Sequence, residues 1–262
     1  MFDAKRLLDQ FMGAPQSGGF DPRGGNDNRS RDFGGQRGGD LLQQAGGALG
    51  GIFDGRYGGF GGGALAGGLA GLLLGGKGGR KLAGSALTHG GMAVAGALAY
   101  RAYQNWQQGK AASPAANSGV PLLPPPSNTP FNPASEAEQQ TLGQHLLRAM
   151  IAAAKADGHI DHKEQQNIFV QMDRMNVSAE DKAFVMDELR KPLDIDAVAR
   201  AAQSPEEAAE IYTVSLLAID IDNPAERGYL AMLAARLKLD ENLIAHLHAT
   251  VEGVTEPVPV KA

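Results

Sequence analysis

The sequence predicts an all-α fold: a seven-helix acidic domain, preceded by a glycine-zipper membrane helix or helical hairpin and a disordered Gly-rich N-terminal region. Three observations support this prediction. Of the 36 glycines in the 262 residues, 32 lie before residue 131. The net charge changes at the same place, from +5 over 1–130 to −10 over 131–262. After residue 135 the apolar residues recur with the helical period of 3.6. A single globular domain filling the whole chain is therefore excluded.

The first element is a candidate amphipathic helix at residues 1–12, where FDAKRLLDQFM alternates apolar and charged side chains. It could lie on a membrane surface, or it could be a poorly ordered terminus. It lacks the apolar run and the cleavage site of a secretory signal peptide. The chain has no Cys, which excludes a disulfide framework, a thiolate metal site and a cysteine nucleophile.

Residues 13–56 are Gly-rich and are predicted to be mostly disordered. Their few apolar side chains cannot bury enough surface to offset the entropy lost on ordering. The piece RDFGGQRGG resembles an RGG-type nucleic-acid tail. It occurs once, so nucleic acid is not expected as a partner.

Residues 57–106 are predicted to be a membrane-associated glycine-zipper segment. Twenty residues from Tyr57 to Gly76 carry no charge, and nineteen more follow from Leu82 to Tyr100. Each run is long enough to cross about 30 Å of hydrocarbon as a helix. From Gly59 in the first run to Gly79 just after it, every fourth residue is glycine, so that another helix can approach closely and self-association is expected. These glycines are Gly59, Gly63, Gly67, Gly71, Gly75 and Gly79.

The second run ends in Tyr100, Tyr103 and Trp106, which fits an interfacial aromatic anchor. A hairpin turning at 77–81 and a single span through 82–100 both remain open, and a flexible Gly/Ala linker is the alternative to any membrane segment. Residues 107–134 are rich in Pro, Ser and Ala. They predict an extended linker that separates the anchor from the following domain.

Residues 135–252 are predicted to be the acidic helical domain, and 253–262 its tail. Helix starts are marked by a capping residue that is followed, three positions later, by an acidic residue. A short helix is expected over Ile195–Ala202. The predicted starts are Ser135 with Glu138, Asp161 with Glu164, Ser178 with Asp181, Ser204 with Glu207, Asn223 with Glu226, and Asp240.

The two halves of this domain form an internal pseudo-repeat. The stretch Ala156–Glu164 corresponds to Ala218–Glu226, so the two acidic turns are expected to lie close together. Carboxylate oxygens suit hard cations such as Ca²⁺ or Mg²⁺. Helix capping alone would explain several of these acids. The three that caps do not require are Asp157, Asp220 and Asp222.

Catalysis finds little support in the sequence. There is no phosphate-binding loop, nucleophile elbow or zinc spacing, so no catalytic residue and no organic cofactor are predicted. His159 and His162 could join a carboxylate site, although a solvated turn is the favoured interpretation. The protein is predicted not to be an enzyme. The alternative is a metal-dependent enzyme that uses the paired acidic turns.

The motifs ADGHIDHKE and AIDIDNPAER, with the sequence around them, closely resemble the YebE-like family of uncharacterised bacterial inner-membrane proteins. That family belongs to the TerB-like (tellurite-resistance B) superfamily. The resemblance implies a seven-helix TerB-like domain, a link to tellurite and other stress resistance, and an acidic metal site. By motif, that site would comprise Asp157, Asp161, Glu164, Asp220, Asp222 and Glu226.

Together these features predict a non-enzymatic, membrane-anchored stress-response or envelope-linked scaffold. Its expected partners are the membrane, a second copy of the chain through the glycine zipper, and a protein of unknown identity. The resemblance places it in the bacterial inner membrane, with the helical domain facing the cytoplasm. A divalent cation is the one expected cofactor.

Overall fold

The structure is a computed structural model that describes residues 2–12, 91–114, 122–157, 162–174, 177–219, 221 and 224–255. All of these residues belong to one compact unit. The zipper glycines, the predicted disordered tract and the tail from 256 lie outside the described residues.

Within the described residues the secondary structure is helical, which confirms the predicted all-α class. Its only strand-like pairing there is an isolated bridge between Thr129 and Asn132. The helices are α1 (Ala4–Met12), α2 (Gly91–Gln107), α3 (Glu136–Ala154), α4 (His162–Arg174), α5 (Ala179–Arg190), α6 (Ile195–Ala201), α7 (Pro205–Ala218), α8 (Pro224–Arg236) and α9 (Glu241–Thr255).

Helices α3 to α9 are the seven that the sequence predicts after residue 135. Their starts are set by local hydrogen bonds. The Ser135 hydroxyl accepts from Glu138 N at 3.2 Å, which is the N-cap hydrogen bond, and donates to the Glu138 carboxylate at 2.7 Å. Ser204 accepts from Glu207 N at 3.1 Å in the same way. The predicted caps at 161 and 223 lie outside the described residues.

Helix α7 is the central helix of the described core. Every residue from Glu207 to Ala218 is buried. The helix packs against α2, α3, α8 and α9. A helix covered on all sides is apolar all round rather than amphipathic, which explains the run IYTVSLLA.

Helix α2 differs from its predicted role as part of a membrane segment. Met92, Val94 and Leu98 are buried, and the helix packs against α1, α7 and α9. Of the helices in the described ranges, none combines the length and hydropathy needed to cross a bilayer. An uncharged Gly/Ala-rich helix suits a crowded protein core as well as lipid, because both present apolar surroundings. This part of the predicted anchor is a core helix.

The aromatic end of α2 is also held by protein. Tyr100 and Tyr103 contact the ring of Phe131 edge-on, with centroids 5.5 and 5.6 Å away. The Trp106 indole donates to Asp240 Oδ1 at 3.1 Å. Phe131 itself is buried. The last part of the predicted linker, from residue 122, therefore packs on α2 instead of extending away from the domain.

Helix α1 is part of the same core, which differs from both interpretations of residues 1–12. Leu7 and Leu8 are fully buried. A Cβ added at Gly143 would lie only 3.1 Å from Lys5 N, so this glycine lets α1 approach α3 closely. Met92 N donates to Asp9 Oδ1 at 3.1 Å. Leu7 and Leu8 are therefore buried against protein and not against lipid.

Candidate functional site

The predicted cation site falls largely on positions that the structure does not describe. Asp157 is exposed directly after α3, and Glu226 is buried in the first turn of α8. Glu164 lies in α4, where only its backbone is described. Asp161, Asp220 and Asp222 lie outside the described residues. Among the residues that can be searched, no three metal-ligating side chains come together. The meeting of the two turns stays a prediction.

The structure instead shows a histidine–carboxylate pair that the sequence did not single out. His145 Nδ1, on α3, lies 2.6 Å from Glu207 Oε1, on α7. The other carboxylate oxygen of Glu207 accepts from Gln203 N at 2.9 Å. Opposite an ionised carboxylate Nδ1 is the donor of this pair, which leaves Nε2 as the ring nitrogen outside it.

The internal repeat contains the signal that could have found this pair. His145 and Glu207 are 62 residues apart. The same offset relates Glu164 to Glu226 and Ala156 to Ala218 in the two acidic stretches. The pair therefore joins equivalent positions of the two halves. From the sequence, Glu207 was assigned only a capping role.

A cavity of about 450 Å³ lies beside His145, between α3, the end of α5, the following turn and α6. Its inner wall is apolar and includes Ile151, Ala152 and Val198, all of them buried. Leu193, at the edge of the cavity, is 38% exposed. The volume falls in the range of small-molecule sites.

Basic groups gather on one side of this cavity around a single carboxylate. Arg148 Nε and Lys191 Nζ lie 3.3 and 2.6 Å from the same oxygen, Glu188 Oε1. Lys155 Nζ donates to the backbone carbonyls of Glu188 and Lys191. Burial lowers the pKa of Lys155. Three cations thus line a site in a domain that is acidic as a whole.

One turn further along α7, Glu210 is buried in a different way. It is fully inaccessible, and neither carboxylate oxygen has a hydrogen-bond partner in the part of the chain that the structure describes. A Cβ added at Gly96 would lie 3.0 Å from Glu210 Oε1 and 2.7 Å from the Phe131 carbonyl. Burial, with the charge of Glu207 second, raises the pKa of Glu210 well above its ordinary value. Burial therefore favours the neutral form of this carboxyl over the ionised form.

A family described as "Protein of unknown function (DUF533)" matches residues 59–251 of the chain. The chain belongs to the DUF533 family. The match spans the first uncharged run, α2 and the seven helices from α3 to α9, whereas α1 lies outside it. DUF533 is a TerB-like family, so the resemblance seen in the motifs is confirmed at that level. The narrower YebE-like assignment and the inner-membrane location stay predictions.

A curated relative of this DUF533 protein comes from Yersinia enterocolitica and is described as "Uncharacterized protein in ampR 5'region". It is 38% identical over 100 residues, which are 38% of this chain and 72% of the relative. No solved structure matches the chain.

Proposed function

We propose that this DUF533 protein is a non-enzymatic, membrane-anchored binding protein, a scaffold for a stress-response or envelope-linked complex. In this proposal its acidic helical domain takes a divalent cation, Ca²⁺ or Mg²⁺, or a protein partner at the two acidic turns. The turns follow α3 and α7 in the chain. TerB-like membership supports the proposal, because the paired acidic motifs are what carries that resemblance.

The observation that carries the proposal is a contact between the two halves of the repeat: His145 of the first half contacts Glu207 of the second, at 2.6 Å. Helices α3 and α7, which precede the two acidic turns in the chain, therefore pack against each other at equivalent positions of the repeat. An acidic turn follows each helix, and Asp157, in the first of them, is exposed to solvent.

The cation proposal is tested by calorimetric titration of the full chain with Ca²⁺, Mg²⁺ and Mn²⁺. We expect saturable heat with at least one ion, and its loss in Asp157→Ala and in Asp220→Ala. Asp187→Ala is the matched control, because this exposed acid lies in the last turn of α5, outside the acidic turns, and forms a weak surface ion pair with Arg190 at 3.9 Å. If no ion gives heat, or if the two turn variants bind like the control, the acidic turns are not a cation site.

The membrane part of the proposal now depends on the first uncharged run, Tyr57–Gly76, because α2 is a core helix. If that run anchors the chain, the full-length protein is expected in the membrane pellet after cell fractionation. If its glycine zipper mediates self-association, Gly67→Leu with Gly71→Leu is expected to lower the oligomeric state in detergent. Recovery of the intact protein in the supernatant would contradict the anchor.

A further inference from the structure

We infer that the cavity between α3, α5 and α6 is a binding site for a small organic anion, a monocarboxylate with an apolar body. This inference is independent of the acidic turns and of the proposed cation. The cavity is lined by residues that the structure describes throughout, and by neither of the acidic turns. Its volume of about 450 Å³ accommodates a short alkyl or aryl carboxylate.

The apolar wall determines what the body of the ligand must be. Ile151, Ala152 and Val198 present buried aliphatic surface to the cavity. Leu193 is a large apolar side chain at its edge that is 38% exposed. A hydrocarbon group in the cavity would cover both, and removing this apolar surface from water favours binding. A purely polar ion such as sulfate would leave this surface wet.

The charges select the head group. The ionised groups that line the cavity are the cations Arg148, Lys155 and Lys191 and the carboxylates Glu188 and Asp194. One positive charge is left over, which a single carboxylate neutralises and a phosphate dianion exceeds. Three cations brought around one carboxylate also repel one another, so an added anion relieves a cost that the empty site bears.

Arg148 is the residue best placed to receive the head group. Its Nε is used by Glu188 at 3.3 Å, and its guanidinium lies over the Phe184 ring, 5.5 Å from the centroid. These two contacts fix the plane of the guanidinium. Within the described residues its two terminal amino groups make no hydrogen bond, and together they match the two oxygens of a carboxylate. The fork is therefore oriented before the ligand arrives.

His145 also lines the cavity. Its Nδ1 lies 2.6 Å from Glu207 Oε1, and Glu207 is itself held by Gln203 N at 2.9 Å, which keeps the ring in one orientation. Only a protonated Nε2 could donate to a carboxylate, so the head group is assigned to Arg148 and the imidazole is a polar group of the cavity wall. A cavity with an apolar wall and a few oriented polar groups is the usual form of a small-molecule site.

The test is ligand-observed NMR titration of the full chain with hexanoate as the probe. Acetate lacks the apolar body, hexanol lacks the charge, and hexyl phosphate carries a second charge. We expect hexanoate to bind at least about tenfold more tightly than each of these three compounds. Equal binding of acetate or hexanol, tighter binding of hexyl phosphate, or no binding of hexanoate would overturn the inference.

Two variants locate the bound molecule, and one serves as a control. Arg148→Gln removes the fork, and Ala152→Leu fills the wall, so each is expected to weaken hexanoate binding at least about tenfold. Arg236→Gln is the matched control, because this arginine forms an ion pair with Asp196 at 3.0 Å and does not line the cavity. Circular dichroism checks that the variants are folded. If folded Arg148→Gln and Ala152→Leu bind hexanoate like Arg236→Gln, the site lies elsewhere and the inference fails.

Discussion

The two sides of α7 hold two buried glutamates in opposite ways. On the side of α3, Glu207 is 8% exposed and bonds to His145 and to the Gln203 amide. On the side of α2, Glu210 is fully buried, and no hydrogen bond to its oxygens is found in the described parts of the chain. The residues are one helical turn apart, so they share a helix but not an environment.

The difference is that the carboxylate of Glu207 makes hydrogen bonds that stabilise the fold, whereas the carboxyl of Glu210 is buried without such bonds among the described residues. Hydrogen bonds to a charged group repay the cost of removing it from water, whereas a carboxyl without partners bears that cost in full. Burial raises the pKa of Glu210, with the charge of Glu207 as the second cause, and so favours the neutral form of this carboxyl in the fold. The side of α7 that faces α3 therefore carries a hydrogen-bonded polar pair, whereas the side that faces α2 is closely packed against Gly96.

The largest effect is expected on the α3 side. Glu207→Ala leaves His145 and the Gln203 amide without their acceptor, and we expect it to lower the free energy of unfolding by about 3 kcal/mol. Urea denaturation monitored by circular dichroism measures the change. Glu241→Ala is the control, since Glu241 is an exposed acid in the first turn of α9. A loss no greater than that of Glu241→Ala would mean that the pair with His145 contributes nothing to stability.

The second effect concerns the close approach of α2 to α7. In Gly96→Ala the new methyl would lie 2.7 Å from the Phe131 carbonyl oxygen, which is backbone and cannot swing away. We expect a loss of about 2 kcal/mol from this overpacking, in spite of the better helix propensity of alanine. Thermal denaturation gives the shift. An unchanged or higher melting temperature would show that α2 is free to move away from α7.

The third effect has the opposite sign. Glu210→Met replaces a buried carboxyl by an apolar side chain of similar size, and we expect a gain of about 1 to 2 kcal/mol at pH 7. The gain should depend on pH. Above about pH 4.5, the ordinary value for Glu, the unfolded chain loses the proton that folded Glu210 retains, so the wild type loses stability as pH rises.

This prediction is checked by comparing unfolding free energies of wild type and Glu210→Met at several pH values from 4 to 8. The advantage of the variant is expected to be smallest at the acid end and to grow toward neutral pH. Titrating groups that do not interact with Glu210 are common to both proteins and cancel in the difference. A difference that stays flat with pH would show that Glu210 titrates alike in the folded and unfolded chains.

The smallest effect on stability is expected at Gly228, where replacement of glycine by alanine changes helix propensity without a packing cost. Gly228 lies inside α8, and a Cβ added there meets no atom within 4 Å among the described residues. Gly228→Ala is therefore expected to stabilise the protein by at most about 1 kcal/mol through helix propensity. Differential scanning calorimetry of this variant beside Gly96→Ala isolates the packing cost. Destabilisation by Gly228→Ala would mean that the surface of α8 is covered in solution.

The helices after residue 135 could be predicted because their signals are local. A capping serine and the acidic residue three positions later, such as Ser135 with Glu138, exchange hydrogen bonds inside one turn. The short helix expected at Ile195–Ala202 is observed at Ile195–Ala201. Such bonds depend on neighbouring residues alone, so they can be recognised without knowing the fold.

The environments of α1 and α2 could not be predicted in the same way. A run such as GMAVAGALAY predicts only that the helix has apolar surroundings, which a protein core and a lipid bilayer both provide. The choice between protein and lipid depends on tertiary contacts: Glu210 lies close to Gly96, and the backbone of Lys5 lies close to Gly143.

The cavity could not be predicted for the same reason, because Arg148 and Lys191 approach the same carboxylate only when α3 and α5 pack together. The pair of His145 and Glu207 was predictable in part. The repeat offset indicates that the two positions are equivalent, but only the fold shows that they are in contact.

The hydrogen bond from Met92 N to Asp9 Oδ1 joins two points that are 83 residues apart in the chain. The end of α1 and the start of α2 thus lie side by side, so the chain between them begins and ends at one place on the domain. Each doubling in the length of a connection with fixed ends adds only about 0.6 kcal/mol of closure entropy. The tract can therefore grow or shrink over evolution while the domain keeps its stability. Cleavage within this tract would leave α1 attached to the rest of the domain by noncovalent contacts alone, chiefly the burial of Leu7 and Leu8.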